Sequence, residues 1–97
     1  MNDALVKALQ ALREKTDGES FDGSVRFDVA DHGALRVDGE GAREDDGSPA
    51  DCTISADIET FRALFEGEIS PTGAYMTGRI RIEGDMGVAM RAASLLG

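Results

Sequence analysis

The sequence predicts an α+β fold, a mainly antiparallel sheet with helices packed over one face. Three observations predict it. First, Val25, Phe27 and Val29 alternate with Ser24, Arg26 and Asp28, and Leu35 and Val37 alternate with Arg36 and Asp38 beyond a short Asp31-His32-Gly33 turn. Two period-two segments joined by a short turn read as an antiparallel hairpin. Second, Leu5, Leu9 and Leu12, and later Ile58, Phe61, Leu64 and Phe65, repeat at helical spacing. Third, the elements follow the order helix, hairpin, strand, helix, short helix, strand, helix. Hairpin connections in that order favour an antiparallel sheet covered by helices on one side.

A chain of 97 residues is expected to form one domain, and 41% apolar residues suffice for one modest core. There is no Trp, and the aromatics are Phe21, Phe27, Phe61, Phe65 and Tyr75, so the core is mainly aliphatic with Met as filler. The formal net charge of −9 excludes the clustered basic surface that nucleic-acid binding requires. It also disfavours electrostatic docking on anionic lipid. One cysteine, Cys52, rules out an internal disulfide. No apolar run approaches the roughly 20 residues that span a bilayer. The N-terminal decapeptide is an amphipathic helix start, and Leu95-Leu96-Gly97 is no peroxisomal or retention address, so a cytoplasmic protein is expected.

The first helix is capped by Asn2 or Asp3 and stopped at Asp17-Gly18. After the hairpin, Gly39 to Pro49 is polar and glycine-rich. Its Gly39-Glu40-Gly41 lacks the third glycine and the following helix of a phosphate loop, and Glu44, Asp45, Asp46 and Asp51 do not have calcium-loop spacing. A solvated loop is the expected reading, with room for a further strand between Gly39 and Arg43. The next strand, Asp51 to Ser55, puts Cys52 and Ile54 on one face. Asp57 caps the following helix, with Glu59 in its first turn and Gly67 at its end. Ser70-Pro71 is a cap followed by proline at the first helical position, opening a short helix that aims Tyr75 and Met76 inward. Ile80 and Ile82 alternate with Arg79, Arg81 and Glu83 in a last strand, and Asp85 caps the final helix.

That final helix is too apolar for a single stripe. Met86, Ala89, Met90 and Ala93 form one face, and Val88, Ala92 and Leu95 form another. One can pack on the sheet while the other faces a cavity. The polarizable, flexible side chains of Met76, Met86 and Met90 suit ligands of varied shape, although any one of them also suits plain core packing.

The second half of the chain carries a resemblance. Ala50-Asp51-Cys52-Thr53-Ile54, Phe61-x-x-Leu64, Gly67, Ser70-Pro71, Ala74-Tyr75-Met76, Gly78-Arg79-Ile80-Arg81-Ile82 and Gly84-Asp85-Met86-Gly87-x-Ala89-Met90 resemble the sterol carrier protein type two family, the sterol-transfer domain. The G-D-M-G-x-A-M run after a short basic strand is the most specific part, and the likeness extends from Ala50 to Ala93. The first half matches only in its order of elements. The resemblance implies a twisted, mostly antiparallel sheet of about five strands, helices on one face and an apolar tunnel between the layers. It also implies binding of sterols, fatty acids, fatty acyl-CoA or phospholipids. The chain departs from the family's familiar pattern in its acidity and in Thr72, which stands where Gln often follows the proline.

The side chains expected to line the ligand space come from five segments. They are Phe27 on the first strand and Phe61, Leu64 and Phe65 on the helix after Asp57. Ile69, Thr72, Tyr75 and Met76 flank the Ser-Pro turn, and Ile80 and Ile82 lie on the last strand. Met86, Val88, Met90 and Leu95 come from the final helix. The expected function is non-catalytic binding and intracellular transfer of an apolar lipid, with transient membrane contact, no cofactor and no metal. The alternative is a dimerising or accessory module that presents the C-terminal helix to a partner protein, and monomer and homodimer both fit the sequence. Independent catalysis is disfavoured, because His32 is the lone histidine and Cys52 and the serines have no visible base. A tunnel of about 300 Å³ would cost an empty small domain roughly 7 kcal/mol at the rate measured for core cavities.

Overall fold

The computed structural model describes residues 2–96. Helix α1 (Asp3–Thr16) starts where the Asn2 side chain accepts a hydrogen bond from the Leu5 N–H at 2.9 Å. It buries Leu5, Ala8, Leu9 and Leu12, one turn apart along one face. Strands β1 (Val25–Val29) and β2 (Gly33–Asp38) form the expected hairpin, with Val25 opposite Val37 and Phe27 opposite Leu35. Asp31 takes the left-handed conformation (φ 67°) in the turn, which Asp tolerates better than most residues.

Strand β3 (Gly41–Glu44) adds to β2 with Ala42 opposite Val37. Strand β4 (Cys52–Ala56) then returns to the far side of β1 and pairs with it in parallel, Phe27 beside Ile54. Strand β5 (Arg81–Gly84) closes the five-stranded sheet in the order β3-β2-β1-β4-β5, antiparallel to β4. Only the β1–β4 pair is parallel, so the sheet is mostly antiparallel.

Between β4 and β5 lie α2 (Ile58–Phe65) and the short α3 (Pro71–Met76), and α4 (Met86–Leu96) follows β5. Side-chain caps start each of them. Asp57 accepts from the Thr60 N–H at 2.8 Å, Ser70 from Gly73 at 3.0 Å, and Asp85 from Val88 at 3.0 Å. Gly84 (φ 101°) makes the turn from β5 into α4, and no other residue fits, because a Cβ there would lie 2.5 Å from the Asp51 carbonyl oxygen.

The inward residues of β1, β2 and β4 bury Val25, Phe27, Val29, Leu35, Val37, Cys52 and Ile54 beneath the helices. Phe27 stands at the centre, its ring edge-on to Phe61 at 5.7 Å and to Phe65 at 5.3 Å. The opposite face of the sheet is polar. There Arg36, 2% exposed, donates hydrogen bonds to the carbonyls of Ser48 and Pro49. Its Nε lies 3.4 Å from the Asp45 carboxylate, an ion-pair distance without hydrogen-bond alignment. Arg26 reaches the same carboxylate at 3.2 Å. Two arginines thus fold the acidic loop down onto the sheet.

The structure corrects one inward assignment. Met76 is 79% exposed and Tyr75 51% exposed. The short helix turns on Pro71 and Ala74 instead, the buried pair three residues apart. Met76 is therefore carried round toward water, whereas Tyr75, four residues on from Pro71, stays half-exposed on the flank of the buried face.

The Thr60 N–H holds the Asp57 carboxyl below the usual carboxylate range, and Arg43 does the same to Asp38. A carboxyl depressed in the folded state contributes stability above its unfolded pKa of about 3.9 and loses it as pH falls through the lower folded value. Chemical denaturation followed by circular dichroism should show falling stability below about pH 4. Asp57→Ala should lose about 1 kcal/mol at neutral pH and flatten part of the acid dependence.

Candidate functional site

An apolar pocket of about 140 Å³ lies between the inner face of the sheet and helices α3 and α4. Its floor is Phe27, Ile54 and Ile82 from three strands, with Ile80, which was expected on the last strand but lies in the bend just before β5. One wall is Leu64 of α2 with Pro71, Thr72 and Tyr75 of α3. The other is Met86, Ala89, Met90, Ala93 and Leu96 of α4. The α4 residues fall at i, i+3, i+4, i+7 and i+10, a single stripe. Among the described residues the lining carries no charged side chain, and its polar groups are the hydroxyls of Thr72 and Tyr75. Tyr75, Met86 and Met90 are 51%, 50% and 68% exposed, so the mouth opens to water through large apolar side chains.

The α4 stripe explains how a nearly all-apolar helix stays in water. Val88, Ala89, Ala92 and Leu96 are buried against the chain's own core. Gly23 admits Val88, whose methyl groups approach to 3.1 Å of where a Cβ would stand. The large apolar side chains of α4 left exposed are Met86 and Met90, at the pocket mouth.

Of the side chains expected at the ligand space, the pocket gathers Phe27, Leu64, Thr72, Tyr75, Ile80, Ile82, Met86 and Met90. The other six lie elsewhere. Phe61 and Phe65 stack on each other at 5.5 Å and fill the core beside Phe27. Ile69 lines a shallow groove on the far side of α3, Met76 is in solvent, Val88 is core, and Leu95 lies by Phe21 and Arg91. The expected lining set omitted Ile54, Pro71, Ala89, Ala93 and Leu96, although Ala89 and Ala93 already stood on the Met86–Met90 face. The signal for Leu96 was present too, since it continues that face by a turn beyond Ala93. Small alanines, however, attract less attention than methionines as lining, although it is their size that leaves the space.

The chain matches the model of the SCP-2 sterol transfer family over residues 2–97. Hydroxysteroid dehydrogenase-like protein 2 of Xenopus tropicalis is 42% identical over 48 residues, which are 50% of this chain and 12% of that relative. The matched stretch thus spans about an eighth of the relative's length. The solution structure of the sterol carrier protein domain 2 of Helicoverpa armigera superposes with a TM-score of 0.78 at 24% identity, covering 99% of this chain and 90% of that one. Sterol carrier protein 2 from Aedes aegypti, solved in complex with palmitate, superposes with a TM-score of 0.74 at 11% identity, covering 100% and 97%. Both likenesses are likenesses of fold.

The chain's two candidate reactive groups lie off this pocket. His32 sits in the β1–β2 turn, its Nδ1 3.0 Å from the Asn2 amide nitrogen. Cys52 is 1% exposed on β4, and burial, helped by the charges of Asp51 and Asp85, pushes its thiol up to about 11. A thiol so placed is protonated and shielded at neutral pH. Cys52 should therefore resist a maleimide or disulfide reagent in the native protein and react promptly in denaturant. Rapid native labelling would show that β4 opens.

Proposed function

The chain belongs to the SCP-2 sterol transfer family, and on that premise we propose that it binds a lipid chain in the pocket between α3 and α4 and carries it through water unchanged. The observation that carries this reading is the uncharged apolar lining that ends in an exposed Tyr75, Met86 and Met90 mouth. Such a pocket offers burial, and its lining among the described residues includes no His, Cys, Asp, Glu, Lys or Arg. The palmitate complex of the Aedes aegypti protein supports a fatty-acid class of ligand for the shared fold.

Size sharpens the proposal. A cavity of about 150 Å³ lined by aliphatic and aromatic side chains holds a molecule the size of benzene. The pocket's 140 Å³ therefore takes a segment of about six carbons, not a whole fatty chain. Six methylenes give about 5 kcal/mol of gross burial, which association costs largely cancel. Sixteen give about 13 kcal/mol, enough for useful affinity. Binding a long chain thus requires the walls to part or the ligand to continue beneath the mouth residues. Helix α3 is suited to yield, because it is six residues long and buries only Pro71 and Ala74. Met86 and Met90 on the facing wall can change rotamer as it moves. The smaller volume also lowers the cost of the empty state to about 3 kcal/mol, less than half of what a 300 Å³ tunnel would exact.

Sterols, acyl-CoA and phospholipids are further ligand classes for the same lining, and transfer implies transient contact with a lipid surface at the mouth. Cytoplasmic placement is part of this proposal, and no helix of the described residues is long and apolar enough to cross a membrane. A module that presents the whole of α4 to a partner is disfavoured, since Val88, Ala89, Ala92 and Leu96 are already buried.

Titration with a fluorescent long-chain fatty acid should show saturable uptake. A hundredfold excess over Kd should stabilise the fold by about 2.7 kcal/mol and raise the melting temperature by about 10 °C or more. Met90→Asp should weaken uptake by at least about tenfold and leave melting of the empty protein nearly unchanged, because Met90 is 68% exposed. Unaltered melting at saturating palmitate, sterol and acyl-CoA would sink the proposal.

A further inference from the structure

Strand β5 is an open edge of the sheet. The Asp85 N–H donates to the Asp51 carbonyl at 2.8 Å, and this bond sets the alternation along the β4–β5 ladder. The pairs Thr53–Glu83 and Ser55–Arg81 exchange hydrogen bonds with β4, whereas Ile54–Ile82 does not. The N–H and C=O of Ile82 therefore point away from β4, into the open edge. The opposite edge is treated differently. There the Arg13 guanidinium donates to the Ala42 carbonyl of β3 at 3.1 Å, and α1 packs alongside. Edge strands usually carry a bulge, a proline or charges that repel a second copy. Arg81-Ile82-Glu83 carries both signs, one residue either side of Ile82.

We infer that β5 pairs with β5 of a second copy of this chain, antiparallel about a two-fold axis at Ile82, joining the mouths of two pockets. A two-fold axis there makes Ile82 its own hydrogen-bonded partner, which matches the outward direction of its backbone groups. The same register places Arg81 opposite Glu83 of the second copy, twice. These are non-hydrogen-bonded positions, where side chains come closest, so the edge is self-complementary in charge as well as in hydrogen bonding. Moving the axis one residue either way would turn the backbone groups at the centre back toward β4. On the inner face, Ile80 and Ile82 floor the pocket, and Met86 follows directly after β5. Pairing therefore sets the two apolar floors side by side and brings both exposed Met86 side chains toward the seam. Each copy's pocket holds about 140 Å³, short of a long lipid, and joining two doubles the room to about twelve carbons, most of a long chain. The pairing stands on strand geometry alone, and its consequence for ligand length rests on the lipid-binding reading above.

Sedimentation equilibrium of the full chain, over a wide concentration range with and without palmitate, tests the inference. The expected species at high concentration has twice the monomer mass of 10.3 kDa. Arg81→Glu and Glu83→Arg each set like charges opposite one another and should weaken association by at least about tenfold. The double variant R81E/E83R restores opposite charges at unchanged net charge and should recover the wild-type association. Both positions are solvent-exposed on the outer face, so circular dichroism of all three variants, and their melting at concentrations low enough to keep every form monomeric, should match wild type. A chain that stays monomeric throughout overturns the pairing, and if that monomer takes up palmitate the lipid reading stands without it. A dimer that ignores the single charge changes, or a folded double variant that does not recover, overturns the β5 register. A charge-sensitive dimer that takes up no palmitate, sterol or acyl-CoA supports the pairing and removes the lipid reading instead.

Discussion

Phe27 belongs to the core and to the pocket at once. It lies on β1, the middle strand, and its ring meets Phe61 and Phe65 edge-on at 5.7 and 5.3 Å. That three-ring cluster holds α2 over the sheet, and pairs of this geometry add about 0.5–1.5 kcal/mol beyond area burial. The same ring is also part of the pocket floor. Because α2 is committed to the rings, Leu64 on its flank is left to face the space beyond. Helix α3 is short and α4 arrives from the sheet edge, so neither reaches far enough to fill that space. The pocket is the volume left over when one cluster takes the best packing.

The two faces of the sheet solve opposite problems. The inner face is covered by helices and includes an opening suited to an apolar guest. The outer face carries Arg26, Arg36 and the acidic loop, tied together by Asp45 and by carbonyls of Ser48 and Pro49. Arg36 is as buried as a core residue, and its charge is answered within the chain by Asp45 and the loop carbonyls. Breaking such a partnership costs more than never having had it. The loop read from sequence as solvated, with carboxylates spaced too loosely for a metal, is therefore a structural cover whose acidic groups serve arginines. The net charge of −9 is accordingly carried on other exposed positions as well.

Much of the fold was legible because its signals are local. The Val25–Val29 alternation, the caps at Asn2, Asp57, Ser70 and Asp85, and the stops at Gly18 and Gly67 depend on neighbours within four residues. The parallel pairing of β1 with β4 was not legible, since nothing near Val25 states that Cys52 will lie beside it. Strand β3 was faint because Ala42 is its one apolar residue, and its existence depends on β2 offering an edge. For the pocket, sequence located the segments but not the facing. Phe61, Leu64 and Phe65 share one broad apolar side, and only packing decides that the rings go to Phe27 and Leu64 goes to the cavity. Met76 was misread for a related reason. In a six-residue helix, burial of Pro71 and Ala74 exhausts the inward face.

The pocket's composition has an evolutionary consequence. Apart from Phe27 and Ile54, every lining residue comes from the stretch between Leu64 and Leu96, while α1, β2 and β3 contribute none. Thr72, Tyr75, Met86 and Met90 are also exposed, so exchanging them disturbs little packing. Selection can therefore alter what the pocket prefers through a few neighbouring codons while the first half of the chain, Phe27 apart, changes under folding constraint alone. A lineage could diversify its cargo without rebuilding its scaffold, and the scaffold could diverge without changing the cargo.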